Sequence, residues 1–162
     1  MSERAAEAPP TAAELAALQA VLDHSTRTAG KSVAVSIAAP SRQMSAAEVV
    51  EFWRGVRLLA MTTVGERGQP HTAPVHARLR GARVELVIYD DTRRRADLQA
   101  NPRVSFTTWS GDGAALIAYG RAREVAGSLR DARPSQNGQP RRVVAIEVDL
   151  TRVYAMRAPQ PR

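Results

Sequence analysis

From residue 57 to residue 150, apolar side chains recur at every second position in short runs separated by turn-forming residues. Val84, Leu86 and Ile88 alternate with Glu85, Val87 and Tyr89. Leu116, Ala118, Gly120 and Ala122 share a face in the same way, as do Val144, Ile146, Val148 and Leu150. A period of two is the signature of a strand with one face buried. Strands are therefore predicted at Arg57–Val64, Gln69–Leu79, Val84–Tyr89, Arg103–Trp109, Leu116–Ala122 and Val144–Leu150. Gly65–Gly68, Arg80-Gly81 and Ser110–Gly113 supply the turns, and Gly127–Pro140 reads as a polar loop. These six short strands predict a mainly β fold: a six-stranded antiparallel sheet curling into a small barrel, with short flanking helices.

The period changes to that of a helix in three places. Leu15, Leu18 and Leu22 form an apolar stripe over Thr11–Asp23, opened by a capping box of Thr11 with Glu14. Ser45 and Glu48 repeat that box before Val49, Phe52 and Trp53. Arg93–Ala100 reads as one or two helical turns stopped by Asn101-Pro102. Ser32–Ile37 alternates and is predicted as a short strand ended by Pro40, with His24–Gly30 a polar break. The expected organisation is a disordered leader over residues 1–10, an N-terminal helical extension over 11–55, the barrel over 56–155 and a tail over 156–162.

Composition narrows the chemistry. The 162 residues suffice for one core, which must be aliphatic because aromatics make up 4%. The chain has no cysteine, which removes disulfides, thiolate catalysis and zinc-finger chemistry and fits a cytoplasmic location. No apolar run approaches a membrane span. The net charge is +7, carried almost wholly by arginine. The arginines are scattered, so the total charge alone does not call for nucleic acid. The sequence also lacks the stacking platform of a nucleic-acid-binding barrel, because Phe106 and Trp109 point to opposite faces of one strand.

The exception to the scatter is Thr92-Arg93-Arg94-Arg95. It lies where a strand hands over to a helix, whose free N–H groups and positive dipole end favour an anion. Arginine forks add paired contacts to phosphate oxygens, and Thr92 brings a hydroxyl. Asp97, one turn on, is placed to orient an arginine. Pro74 removes a ladder donor, so its strand is expected at an edge or bulge. His76 and Arg78 point one way and His71 the other, and no third residue has the spacing of a metal ligand.

In register, these features resemble the pyridoxamine-phosphate-oxidase-like flavin-binding split-barrel family. Thr63-Val64, the turn Gly65–Gly68 and Gln69-Pro70-His71 resemble its "A-T-V…G-x-P-H" opening, and Pro74-Val75 follows at the family spacing. Thr92-Arg93-Arg94 is similar to its Ser-Arg-Lys phosphate clamp, Asp97–Val104 to "N-L-x-x-N-P-x-V", and Gly120-Arg121-Ala122 to "G-x-A". The resemblance covers residues 60–125 and implies a homodimer holding FMN between subunits. It implies that Thr92, Arg93 and Arg94 hold the cofactor phosphate, helped by Arg78. The backbone of Ala73, Pro74, Val75 and His76 would lie along the flavin ring, and Trp109 or the fifth strand would reach the partner's cofactor. It leaves the catalytic residues unassigned. Ala73 replaces a phosphate-binding arginine of the true oxidases, and their substrate segment is not recognisable in 152–162, which argues against pyridoxamine phosphate as substrate. The expected activity is a flavin-dependent oxidation or reduction of a small molecule. The alternatives are the same barrel holding the deazaflavin coenzyme F420, or a regulatory or structural member without cofactor.

Overall fold

The computed structural model describes residues 8–56, 58–132 and 140–158. Most of the expected leader, Arg57, most of the second half of the polar loop and the end of the expected tail lie outside the described residues. Among the described residues there are four α-helices, a 3-10 turn (Pro40–Arg42) and eight strands: α1 (Ala12–Arg27), α2 (Lys31–Ala34), α3 (Ala46–Gly55), β1 (Leu59–Val64), β2 (Pro70–Val75), β3 (Ala77–Arg80), β4 (Arg83–Tyr89), α4 (Arg93–Ala100), β5 (Arg103–Trp109), β6 (Ala115–Glu124), β7 (Arg130–Asp131) and β8 (Arg142–Met156). One antiparallel sheet runs β2-β1-β5-β6-β8-β4-β3, with β7 added to β8. Its two edges, β2 and β3, are consecutive in the chain and separated only by His76. A ribbon that serves both edges forces the sheet to curl back on itself, and the gap between those edges is the split of the barrel.

The second expected strand is thus two strands. β2 follows β1 as far as the pair Leu59–Val75, and β3 then starts afresh against β4 at Ala77–Leu86. Pro74 lies in an edge strand, opposite Ala60, where the N–H it lacks would face away from the sheet. The strand count rises from six to eight through this division and through β7, which pairs part of the polar loop with Val143 and Arg142. The Ser32–Ile37 strand is not formed. Val35 N–H reaches the Lys31 carbonyl, Ser36 N–H that of Val33, and the Ser36 hydroxyl bonds back to Ser32. Local bonds satisfy this backbone as α2 and its following turns. The alternation has no buried face to serve, since Val35 is 81% exposed.

Inside the barrel, Met61, Val84, Phe106, Leu116, Ile146 and Val148 form the core. Both capping boxes form as expected. α1 closes one side through Leu18 and Leu22 and runs beyond Asp23 to Arg27. The extra turn contains Ser25, fully buried, whose hydroxyl donates to Val21 O at 2.6 Å and accepts from Val153 N–H at 2.8 Å. α3 buries Val49 and Trp53, and the Trp53 indole donates to Ala77 O at 3.1 Å, fixing α3 to the start of β3.

A bidentate ion pair ties α3 to the end of β8. Arg157 Nε and Nη2 lie 2.7 and 2.8 Å from the two Glu48 oxygens. The Arg157 hydrogen bond, then those of the Ser45 cap, hold the Glu48 carboxyl at about 2. A carboxylate depressed in the folded state stabilises fully above its unfolded value, and that contribution fades as pH falls from about 4.5 towards 2. Solvent screens this exposed pair, so the effect at neutral pH is small. Glu48→Gln retains the capping geometry and is expected to flatten the loss of stability between pH 4.5 and 2, read as urea midpoints against pH beside the parent. An unchanged slope would remove the pair from the acid response.

Candidate cofactor site

The candidate site begins where β4 ends. Glu85, Val87 and Tyr89 face outward on β4, and the chain leaves at Tyr89 through Asp90 and Asp91. Arg141 stacks on the Tyr89 ring, 3.5 Å from its centroid, and donates to Asp91 at 2.6 Å. That hydrogen bond holds the Asp91 carboxyl below its ordinary range. Thr92 is the N-cap of α4, but its hydroxyl turns back to Tyr89 O at 2.9 Å and caps no helix N–H. The first N–H groups of α4 are therefore left without a side-chain acceptor.

The three arginines have three different surroundings. Arg95 is committed: its Nε and Nη2 donate to the two Glu124 oxygens at 2.7 and 3.0 Å, and Gln99 adds a bond to the same carboxylate. The pair lowers the Glu124 carboxyl and raises the Arg95 guanidinium. Arg93 is exposed, with Nη1 3.3 Å from His71 Nε2. Arg94 is half-buried and has no hydrogen bond or ion pair among the described residues, and burial lowers its proton affinity. A guanidinium removed from water without a counter-charge favours an anion at that point.

Behind Arg93 lies a polar chain that sequence spacing did not reveal. Asp97, 5% exposed, accepts from the Thr63 hydroxyl at 2.7 Å and pairs with His71 Nδ1 at 2.8 Å. Burial alone would raise the Asp97 carboxyl. The hydrogen bonds from Thr63 and His71, with the charge of Arg93, outweigh burial and hold it below its ordinary value. Asp97, expected to orient an arginine, reaches Arg93 only through His71. Gly65 makes room for the arrangement, because a Cβ there would stand 3.0 Å from His71 Cε1 and 3.3 Å from Asp97 Oδ1.

The other residues singled out in the sequence fall in two further places. His76 and Arg78 line a groove of about 950 Å³, with Trp53 and Arg54 on one wall and Val87 and Arg130 among the rest. Val87 is two residues from the end of β4, and no residue from 90 to 95 is among the described residues that line the groove. Ala73, Pro74 and Trp109 line a shallower hollow of about 350 Å³ on the outer face of β2, β1 and β5. Val75 points inward and is buried. Arg54 and Arg130 were not singled out in the sequence: one belongs to a helix end and the other to an expected loop, and neither position announces a groove.

The sequence profile of pyridoxamine 5'-phosphate oxidase matches residues 45–157. No curated protein matches the chain by sequence. Among solved structures, the chain is similar to the conserved hypothetical protein Rv2991 from Mycobacterium tuberculosis, at 18% identity, covering 76% of this chain and 92% of that one with a TM-score of 0.61. It is similar to a FAD-binding protein from Mesorhizobium loti at 16% identity, over 73% and 98% of the two chains, with a TM-score of 0.55. It is also similar to HutZ, the heme storage protein from Vibrio cholerae, at 15% identity over 67% and 92%, with a TM-score of 0.53. At such identities the structures speak for the fold. The profile, which runs from the cap of α3 to the end of β8, speaks for descent, and on it the chain belongs to the pyridoxamine 5'-phosphate oxidase family.

Proposed function

We propose that this chain is an FMN-binding oxidoreductase acting on a small molecule, and that it works as a cytoplasmic homodimer. The observation that carries the reading is Arg94, a half-buried guanidinium without a partner among the described residues, beside an uncapped helix N-terminus. The residues fit a phosphorylated flavin. Arg94, Arg93 and the first N–H groups of α4 would hold the phosphate. The groove with His76 and Arg78 has a volume in the range that encloses a cofactor. Membership of the family and likeness to a FAD-binding fold support a flavin. The flavin would supply the hydride chemistry, and the protein its binding and orientation.

Dimerisation is supported by the outer face of β1, β5 and β6, where Leu58, Trp109 and Tyr119 are 49%, 70% and 44% exposed. Large apolar side chains gathered on one face favour a second protein surface. Among the described residues no helix is long and apolar enough to cross a membrane. Coenzyme F420 is the second reading, favoured by Arg54 and Arg130 on the groove, which suit an acidic tail. Titration of the purified protein with FMN, riboflavin and F420, followed by absorbance and by sedimentation, tests both. Tight FMN uptake by a species of twice the chain mass is expected. Preference for F420 would select the second reading, and uptake of neither would discard both.

A further inference from the structure

We propose that His71 is a proton-linked positioning residue: neutral, it retains Arg93, and protonated, it releases Arg93 to the cofactor phosphate. This rests on the reading of Arg94 and its neighbours as a phosphate site.

The contact to Arg93 selects one tautomer of the neutral ring. A guanidinium has donors and no acceptor, so at 3.3 Å from Arg93 Nη1 the His71 Nε2 must present a lone pair. The proton then sits on Nδ1 and is donated to Asp97 Oδ2 at 2.8 Å. Asp97, itself held by Thr63, is the fixed end of this chain, and Arg93 at the exposed start of α4 is the free end. The His71 side chain is 31% exposed, so protons reach it from solvent. Adding one to Nε2 turns the acceptor into a donor and sets a cation against a cation.

The groups facing His71 give this step its direction. From α4 they are Asp97, which keeps its bond to Nδ1–H in either state, and Arg93, which loses its acceptor. From β1 there is Thr63, uncharged. The turn between β1 and β2 carries Glu66 and Arg67, neither of which pairs with His71 among the described residues. Protonation therefore breaks one contact only, that to Arg93. It also adds a positive charge near the proposed phosphate. Both effects favour a bound anion when the ring is protonated. Arg94 has no hydrogen bond or ion pair among the described residues for the change to break, and Arg95 stays with Glu124. The loop thus holds one arginine committed, one available and one under proton control.

The test uses the whole protein with FMN and riboflavin as probes. His71→Asn preserves a donor for Asp97 and cannot titrate. The ratio of its FMN Kd to that of the parent is expected to rise about five- to tenfold from pH 8 to pH 5.5. The phosphate's own ionisation near pH 6 cancels in that ratio. The riboflavin ratio should stay flat. In the parent itself, ring NMR at pH 6.5 should show FMN, and not riboflavin, increasing the protonated fraction of His71, a readout that does not depend on the variant folding. A flat FMN ratio with no change in ring protonation, in a protein that still loses FMN on Arg94→Ala, overturns the role of His71 alone. If Arg94→Ala also leaves FMN binding intact, the phosphate reading falls and this proposal with it.

Discussion

Arg94→Ala is expected to raise the Kd for FMN by roughly ten- to a hundred-and-fiftyfold while leaving riboflavin binding almost unchanged. A charge-assisted contact in a partly dry site is worth about 1.5–3 kcal/mol, which corresponds to that range. The fold should survive, because Arg94 makes no hydrogen bond or ion pair among the described residues that its loss would break. Arg95→Ala should behave in the opposite way. It removes the bidentate partner of Glu124 and should lower stability modestly, with little effect on the cofactor. Arg93→Ala should fall between them. Titration calorimetry with both flavins, beside thermal melts, separates these cases. Equal losses at all three positions, shared by riboflavin, would reduce the cluster to a charged surface.

Gly120→Ala is expected to be the most damaging small change in the barrel. Glycine inside a strand is ordinarily a weakness of about 0.5–1 kcal/mol, so alanine should help. Here it cannot. Gly120 sits at the register shift between β6 and β8, and a Cβ would lie 2.6 Å from Asp149 O and 2.6 Å from Val148 Cγ1. One of those atoms is main chain, held in the ladder, and cannot swing aside. Overpacking of this kind costs about 3 kcal/mol, a fall of roughly 6–12 °C in Tm. Gly111→Ala, with nothing within 4 Å of the added carbon, is the control and should melt with the parent. Equal melting of both variants would mean that the two strands have room to part.

The sequence made local structure legible wherever one residue's chemistry answers to a neighbour a few positions away. The Thr11–Glu14 and Ser45–Glu48 boxes, the helix at Arg93–Ala100 and the strand at Arg103–Trp109 all stand where spacing put them. What needed the third dimension was hidden. His71 and Asp97 are 26 positions apart and meet only because α4 packs against β1, to which β2 is paired. The break at His76 follows from the chain changing sheet edges, and no property of His76 marks it. Ser32–Ile37 has the alternation of a strand, but no strand is offered to it. In the arginine cluster, residue type announced an anion site, while the division of labour among Arg93, Arg94 and Arg95 depends on Glu124 and His71, which lie far away in the chain.

The place of β8 in the sheet also bears on how the protein is made. β8 separates β6 from β4, carries β7, and receives α1 through the Ser25–Val153 bond. Every residue before Arg142 is synthesised before this strand. Until then β6 and β4 each lack a neighbour, and Leu18 and Leu22 of α1 lack the strand against which α1 chiefly packs. Hairpins such as β1–β2 and β5–β6 can form early, but the sheet joins only at the end, by contacts distant in sequence. Such closure is slow, and the waiting chain exposes two open strand edges to other nascent chains. Yield in the cell should therefore depend on chaperone supply and synthesis rate more steeply than the stability of the finished barrel would suggest.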